Sequence, residues 1–292
     1  MIKWTLGACA VALALSVPLG VPFAEPPGAE QRPPAPAGFR VEVRPSTGPW
    51  SADLPPWRIE VVPGTETRDA VLTIQRDGRP VHRQLGYALG VCEVFDGEST
   101  SPAHSPIRDI TGDGRPNLVV SEWNGGNHAG LHAHVLELEP EVRVVATLDA
   151  GRVDGTSFED LDADGALELL TCDRSFVLWT ASCDAYCPEV VLRHGPHGYR
   201  PAAGLMASGP PDLQQLVNDA VRIQADPAWA HGVSHEAWQT TLTLLYGGRP
   251  ELAWTFLDKA WGGTDWERDS FLRRFTHQLG ESPYYADLAR PR

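Results

Sequence analysis

The stretch Asp160-Leu161-Asp162-Ala163-Asp164-Gly165-Ala166-Leu167-Glu168 decides how this chain is read. It sets carboxylates at loop positions one, three, five and nine, with glycine at six. A calcium loop needs that spacing: side-chain oxygens at one, three, five and nine, a backbone carbonyl at seven, and a glycine where the chain turns sharply. Asp160, Asp162, Asp164 and Glu168 are therefore candidate side-chain ligands, and Ala166 is the candidate carbonyl donor. Four anions crowded into one turn repel each other unless a cation offsets them.

Upstream, Asp109-Ile110-Thr111-Gly112-Asp113-Gly114-Arg115-Pro116-Asn117 repeats the frame with weaker donors. Asp109 and Asp113 are carboxylates, Thr111 and Asn117 are neutral oxygens, and Arg115 is the carbonyl donor. Affinity follows ligand charge, so loop one is expected to bind more weakly than loop two. The offset, 160 − 109 = 51 residues, points to a repeated structural unit. Hard oxygen donors favour calcium over zinc or copper. An EF-hand is disfavoured, because it needs a bidentate glutamate at position twelve between two helices. Val120 and Thr171 stand there instead, and the apolar runs after each loop, Leu118–Trp123 and Leu167–Leu170, read as strands.

On these residues, "DITGDGRPNLVV" and "DLDADGALELL", the chain resembles the FG-GAP or VCBS repeat, the calcium-bearing blade unit of integrin-α-like β-propellers. The Gly125-Gly126-Asn127-His128 turn, the strand from Val190 to Arg193 and the helical "LLYGG…ELAWTFLDKAW" segment resemble bacterial secreted proteins carrying that repeat. The resemblance implies antiparallel, blade-like β repeats with calcium in the loops. Residues 57–202 hold only about three units of this length, whereas a closed propeller takes roughly 4–8 blades.

The address comes from the first residues. Met1 to about Ala24 reads as a secretory signal peptide, with Lys3 ahead of an apolar core from Leu6 to Leu19. Nothing later resembles a membrane span, and the expected location is secreted or periplasmic. Cys92, Cys172, Cys183 and Cys187 then allow up to two disulfides with three connectivities. Cys183–Cys187 is a plausible local pair, and Cys92–Cys172 would then join strands. The formal net charge of −14 argues against nucleic acid and anionic lipid as partners.

The expected fold class is α+β: antiparallel β repeats followed by a C-terminal helical region. Residues 25–56, rich in proline and small polar residues, read as a linker. A β-repeat domain is expected over 57–207 and a helical domain over 208–292. Val71–Arg76, Asp77-Gly78 and Arg79–His82 read as a hairpin with a type I′ turn, and Pro80 suggests an edge strand or a strand start. Further strands are expected at 118–124, 132–139, 142–148, 167–172, 176–180 and 190–193. From Leu213 the apolar spacing becomes helical, giving four stripes: Leu213–Val221, Trp238–Leu245, Leu252–Trp261 and Leu272–Leu279. Two helical hairpins need a neighbouring apolar surface, and the β region is the expected one. Trp238, Trp254 and Trp261 fall in these stripes and read as core.

No nucleophile elbow, phosphate loop, HExxH helix or dinucleotide fingerprint occurs. His128, His132 and His134 form the other cluster. They are either ligands for a transition metal, with Glu122 as a neighbouring carboxylate, or ordinary strand histidines. The expected function is a non-enzymatic, exported binding module for a protein or glycan partner, with structural calcium. The alternative is a hydrolase or glycan-binding protein with its site between the β and helical regions.

Overall fold

The computed structural model describes residues 38–289, apart from 46–47, 65–69, 98–100, 104, 125–129, 152–154, 178, 180–185, 208, 228 and 230–231. The expected signal segment 1–24, residues 25–37, the expected Gly125–His128 turn and Cys183 lie outside the described residues. The fold is α+β, with antiparallel sheets first and helices last.

Fifteen strands are described: β1 (Phe39–Glu42), β2 (Trp50–Leu54), β3 (Trp57–Val62), β4 (Ala70–Arg76), β5 (Arg79–Gly86), β6 (Ala88–Val91), β7 (Glu93–Asp96), β8 (Ile107–Arg108), β9 (Asn117–Trp123), β10 (Leu131–Glu137), β11 (Arg143–Asp149), β12 (Ser157–Glu159), β13 (Glu168–Cys172), β14 (Glu189–Gly195) and β15 (Gly198–Pro201). Three four-stranded antiparallel meanders account for most of them. They are β2 to β5, β8 to β11 and β12 to β15, each strand pairing with the next. β6 joins the second meander at β9, while β1 and β7 extend the third. Among the described residues the sheets close into neither a barrel nor a propeller.

The linker expected over 25–56 gives way to strands at β1 and β2. β1 inserts between β12 and β7, so Val41 is buried and the segment gains two ladders of backbone hydrogen bonds. The hairpin at 77–78 has both central residues at positive φ, 50° and 74°, which is the type I′ signature. β5 is an edge strand, and its register slips beside Pro80, which cannot donate to a ladder. Where the strand expected at 176–180 begins, Arg174–Phe176 is a 3₁₀ turn, capped by the Asp173 side chain accepting from the Ser175 N–H, and Leu178 and Thr180 lie outside the described residues.

Sheet pairing explains the sequence of β9. Leu118 and Val120 face the first meander, packing with Ile59, Leu72 and Ile74. Val119 points the other way, into a larger core with Leu131, Ala133 and Val135. A strand buried on both faces reads as a continuous apolar run, and Asn117 to Ser121 are all buried.

Helices α1 (Ala203–Met206), α2 (Leu213–Gln224), α3 (His235–Tyr246), α4 (Pro250–Ala260), α5 (Asp265–Glu281) and α6 (Tyr285–Leu288) follow the last strand. Their starts follow local rules: Asp212 caps α2, Pro250 opens α4, and Thr264 with Glu267 forms a capping box on α5. Trp238, Phe256, Phe271 and Phe275 share one apolar cluster with Phe158, Leu169 and Val191 of the sheet. The change from strand to helix near residue 202 thus does not divide two cores, and the described residues fall in one compact unit. α6 contacts the edge strand β15.

A disulfide joins Cys172 to Cys187. This corrects both expected pairs, Cys183–Cys187 and Cys92–Cys172. Cys92 is buried beside Ser121, and burial pushes its thiol up to about 12. The bond closes 15 residues of chain, which in the chain-entropy view contributes about 3 kcal/mol. The closed segment carries Trp179, whose ring meets Phe176, Trp238, Phe271 and Phe275.

Candidate metal centre

Both loops connect the first two strands of a meander. Loop one joins β8 to β9 and loop two joins β12 to β13, with Arg108 opposite Asn117 and Glu159 opposite Glu168. In the first meander the same connection is the short turn Pro55-Pro56.

The two loops share several hydrogen bonds at an offset of 51 residues. The position-one carboxylates fold the loop around themselves. Asp109 accepts from the N–H groups of Gly112 (2.8 Å) and Gly114 (2.7 Å), and Asp160 from those of Asp164 (3.2 Å) and Gly165 (3.1 Å). Position five accepts from position seven: Arg115 N–H to Asp113 at 3.0 Å, and Ala166 N–H to Asp164 at 2.9 Å. Position nine accepts from position two: Ile110 N–H to Asn117 at 2.8 Å, and Leu161 N–H to Glu168 at 3.0 Å. Positions four and six hold positive φ in both copies, through Gly112 and Gly114 in loop one and Ala163 and Gly165 in loop two. At Ala163 that conformation costs roughly 1–2 kcal/mol, which the surrounding hydrogen bonds offset.

The two loops lie against each other. The Leu167 N–H donates to the Ile110 carbonyl at 2.9 Å. Gly112 approaches so closely that a Cβ there would stand 2.7 Å from the Ala166 Cβ.

Loop two gathers the stronger acidic group. Asp160, Asp162 and Glu168 each present an oxygen within 4.8 Å of the others. Glu168 is fully buried, while Asp162 and Asp164 reach solvent. Arg193 of β14 enters this group: its Nε donates to Glu168 Oε1 at 2.8 Å, and its guanidinium also bonds Asp162 and lies 3.9 Å from Asp164. The Glu168 hydrogen bond, then that to Asp162, raises the guanidinium pKa further. The donor set, all hard oxygens with one residue fully buried, fits a divalent cation. Ala166, at position seven, donates its N–H to Asp164.

Loop one is satisfied differently. Asn117 is buried, and its Oδ1 accepts from Ile110 N–H, Thr111 N–H and the Thr111 hydroxyl, so the oxygens of Thr111 and Asn117 are already engaged with each other. The Asn117 amide N–H₂ has no partner, and a donor at position nine repels a cation. Arg115 turns away to Glu137, 3.1 Å distant, where Arg143 joins it at 2.9 Å. The Arg143 hydrogen bond, with the Arg115 charge, holds the Glu137 carboxyl below the usual range.

The histidines do not form a metal group among the described residues. His134 is buried, with Nε2 2.9 Å from Glu122 and Nδ1 3.0 Å from the Thr147 hydroxyl, so both ring nitrogens are engaged. Glu122 also accepts from the Tyr87 N–H at 3.0 Å. His132 is half-buried, opposite Glu122 and Asp149 in the ladders.

Loop spacing alone left out Arg193 and Glu137. Both lie on the second strand after their loop, across the ladder from position nine, and only strand register brings them there. A charged residue in an otherwise apolar "VVLR" strand was the available signal. Among the described residues, no helix is long and apolar enough to cross a membrane. Comparison with family models, curated proteins and solved structures returns no match.

Proposed function

We propose that this chain is an exported, non-enzymatic interaction module whose β repeats are clipped by calcium in loop two. The observation that carries the reading is the Asp160, Asp162 and Glu168 oxygen group, built on a hydrogen-bond frame that recurs in loop one. The resemblance to calcium-bearing repeats supports it, and the Cys172–Cys187 disulfide suits an oxidising compartment. The partner is a protein or a glycan. The ion would order the loops and supply no chemistry of its own; at about ten times its dissociation constant it adds on the order of 1.4 kcal/mol.

Calorimetric titration of calcium into the chelator-treated chain tests this, with Asp162→Ala beside it. The expected result is saturable binding near roughly 10⁻⁴–10⁻³ M, lost in the variant, with a rise in melting temperature of roughly 3–6 °C. Heats without saturation, or equal binding in the variant, would refute calcium at loop two.

A further inference from the structure

We propose that Thr147 is a nucleophile activated by His134, with Glu122 as the positioning residue, and that it takes one acyl group from an activated ester or thioester. This reactivity is separate from the binding role and uses no residue of either loop. His134 on β10 is 8% exposed, with Nε2 2.9 Å from Glu122 Oε2 and Nδ1 3.0 Å from the Thr147 hydroxyl. A carboxylate only accepts hydrogen bonds, so the proton of the neutral imidazole sits on Nε2. Nδ1 then keeps its lone pair, and the Thr147 hydroxyl donates to it. Glu122 is itself fixed, because its Oε1 accepts from the Tyr87 N–H at 3.0 Å. Hydroxyl, imidazole and carboxylate thus stand in the order that general-base activation of a nucleophile needs.

Strand register exposes the reacting end. β11 is the outermost strand of its sheet, and Thr147 is exposed while the ring beneath it is buried. The Ala150 N–H donates to the Leu131 carbonyl at 2.7 Å, so the alternation of an antiparallel ladder makes His134 and Thr147 a non-hydrogen-bonded pair. Side chains approach most closely in such pairs, and the Thr147 N–H points away from β10, toward the outer edge of the sheet. It is the donor placed to meet the oxygen of an attacked carbonyl. In the step, Thr147 Oγ1 bonds to the acyl carbon, and the bond from that carbon to the ester oxygen or thioester sulfur breaks. The hydroxyl proton passes to His134 Nδ1 and on to the departing group, leaving an acyl ester on Thr147.

The test is incubation of the full chain with p-nitrophenyl acetate, followed by peptide mass mapping. The expected result is an acetyl group on Thr147 ahead of every other hydroxyl, formed about 10²-fold or more slowly in His134→Gln. Glu122→Gln separates positioning from packing. The Tyr87 N–H would hold its amide oxygen, so the amide N–H₂ would face His134 Nε2 and donate to it, moving the ring proton to Nδ1. That variant should keep its fold by circular dichroism, show the proton on Nδ1 in nitrogen-15 NMR, and lose the acetylation. No acetyl group on Thr147 of the wild-type chain, or an undiminished rate in either folded variant, overturns the proposal. If neither variant folds, the wild-type tautomer decides, and a ring proton on Nδ1 overturns it.

Discussion

Asp173 is expected to hold the helical layer to the sheet, and its removal should be among the costliest single changes in the chain. The residue follows β13, next to the disulfide, and is 1% exposed. Its Oδ1 accepts from the Ser175 N–H at 2.8 Å, capping the 3₁₀ turn. Its Oδ2 accepts from two hydroxyls, Tyr246 at the end of α3 and Ser282 at the end of α5. The Ser282 oxygen in turn accepts from the N–H groups of Tyr284 and Tyr285. Asp173→Ala would therefore lose a cap, about 1 kcal/mol, and leave the Tyr246 and Ser282 hydroxyls, 3.1 Å apart, with only each other, so that one of them lacks an acceptor at a cost of roughly 1–3 kcal/mol. The sum is roughly 2–4 kcal/mol, or a fall in melting temperature of roughly 4–16 °C. Tyr246→Phe removes one hydrogen bond to a charged acceptor and should cost roughly 1.5–3 kcal/mol. Urea unfolding of both variants and of the double variant measures the coupling. Tyr246→Phe should cost less once Asp173 is gone. A loss below about 1 kcal/mol for Asp173→Ala, or strictly additive effects, would show that this network does not carry the interface.

Stability should fall as pH rises above about 10. Burial raises the phenol of Tyr186 to about 12 and also raises those of Tyr199, Tyr246, Tyr284 and Tyr285. With folded pKa values above the unfolded value, the native state keeps protons that the unfolded state loses, so stability is complete below about pH 10 and declines from there toward pH 12. Phenolate absorbance of more than one of the six tyrosines at pH 10 in the folded chain, ahead of unfolding, would contradict the burial of these five. At loop one, Gly112→Ala meets both a φ of +74° and the Ala166 backbone, whereas Gly114→Ala at φ +81° meets open space. Chemical denaturation should give a loss of more than about 2 kcal/mol for the first and roughly 1 kcal/mol for the second, and equal losses would mean that the loops are not packed together.

Much of this architecture was legible in local spacing. The type I′ hairpin at Asp77-Gly78, the strands around both loops and the four long helices rest on turn chemistry, period and caps, which act over a few residues. The repeat of Asp, Gly and position nine at an offset of 51 residues fixed the frame of the loops, because each carboxylate bonds N–H groups of its own loop. Tertiary structure decided the rest. Strand insertion turned Phe39–Glu42, inside the expected linker 25–56, into β1, and chain folding brought Cys172 to Cys187. Capping by Asp173 set a turn where a strand was expected to begin. The charge balance of loop two was decided last, by Arg193, because an ion pair forms between residues that register brings together, whatever their distance along the chain.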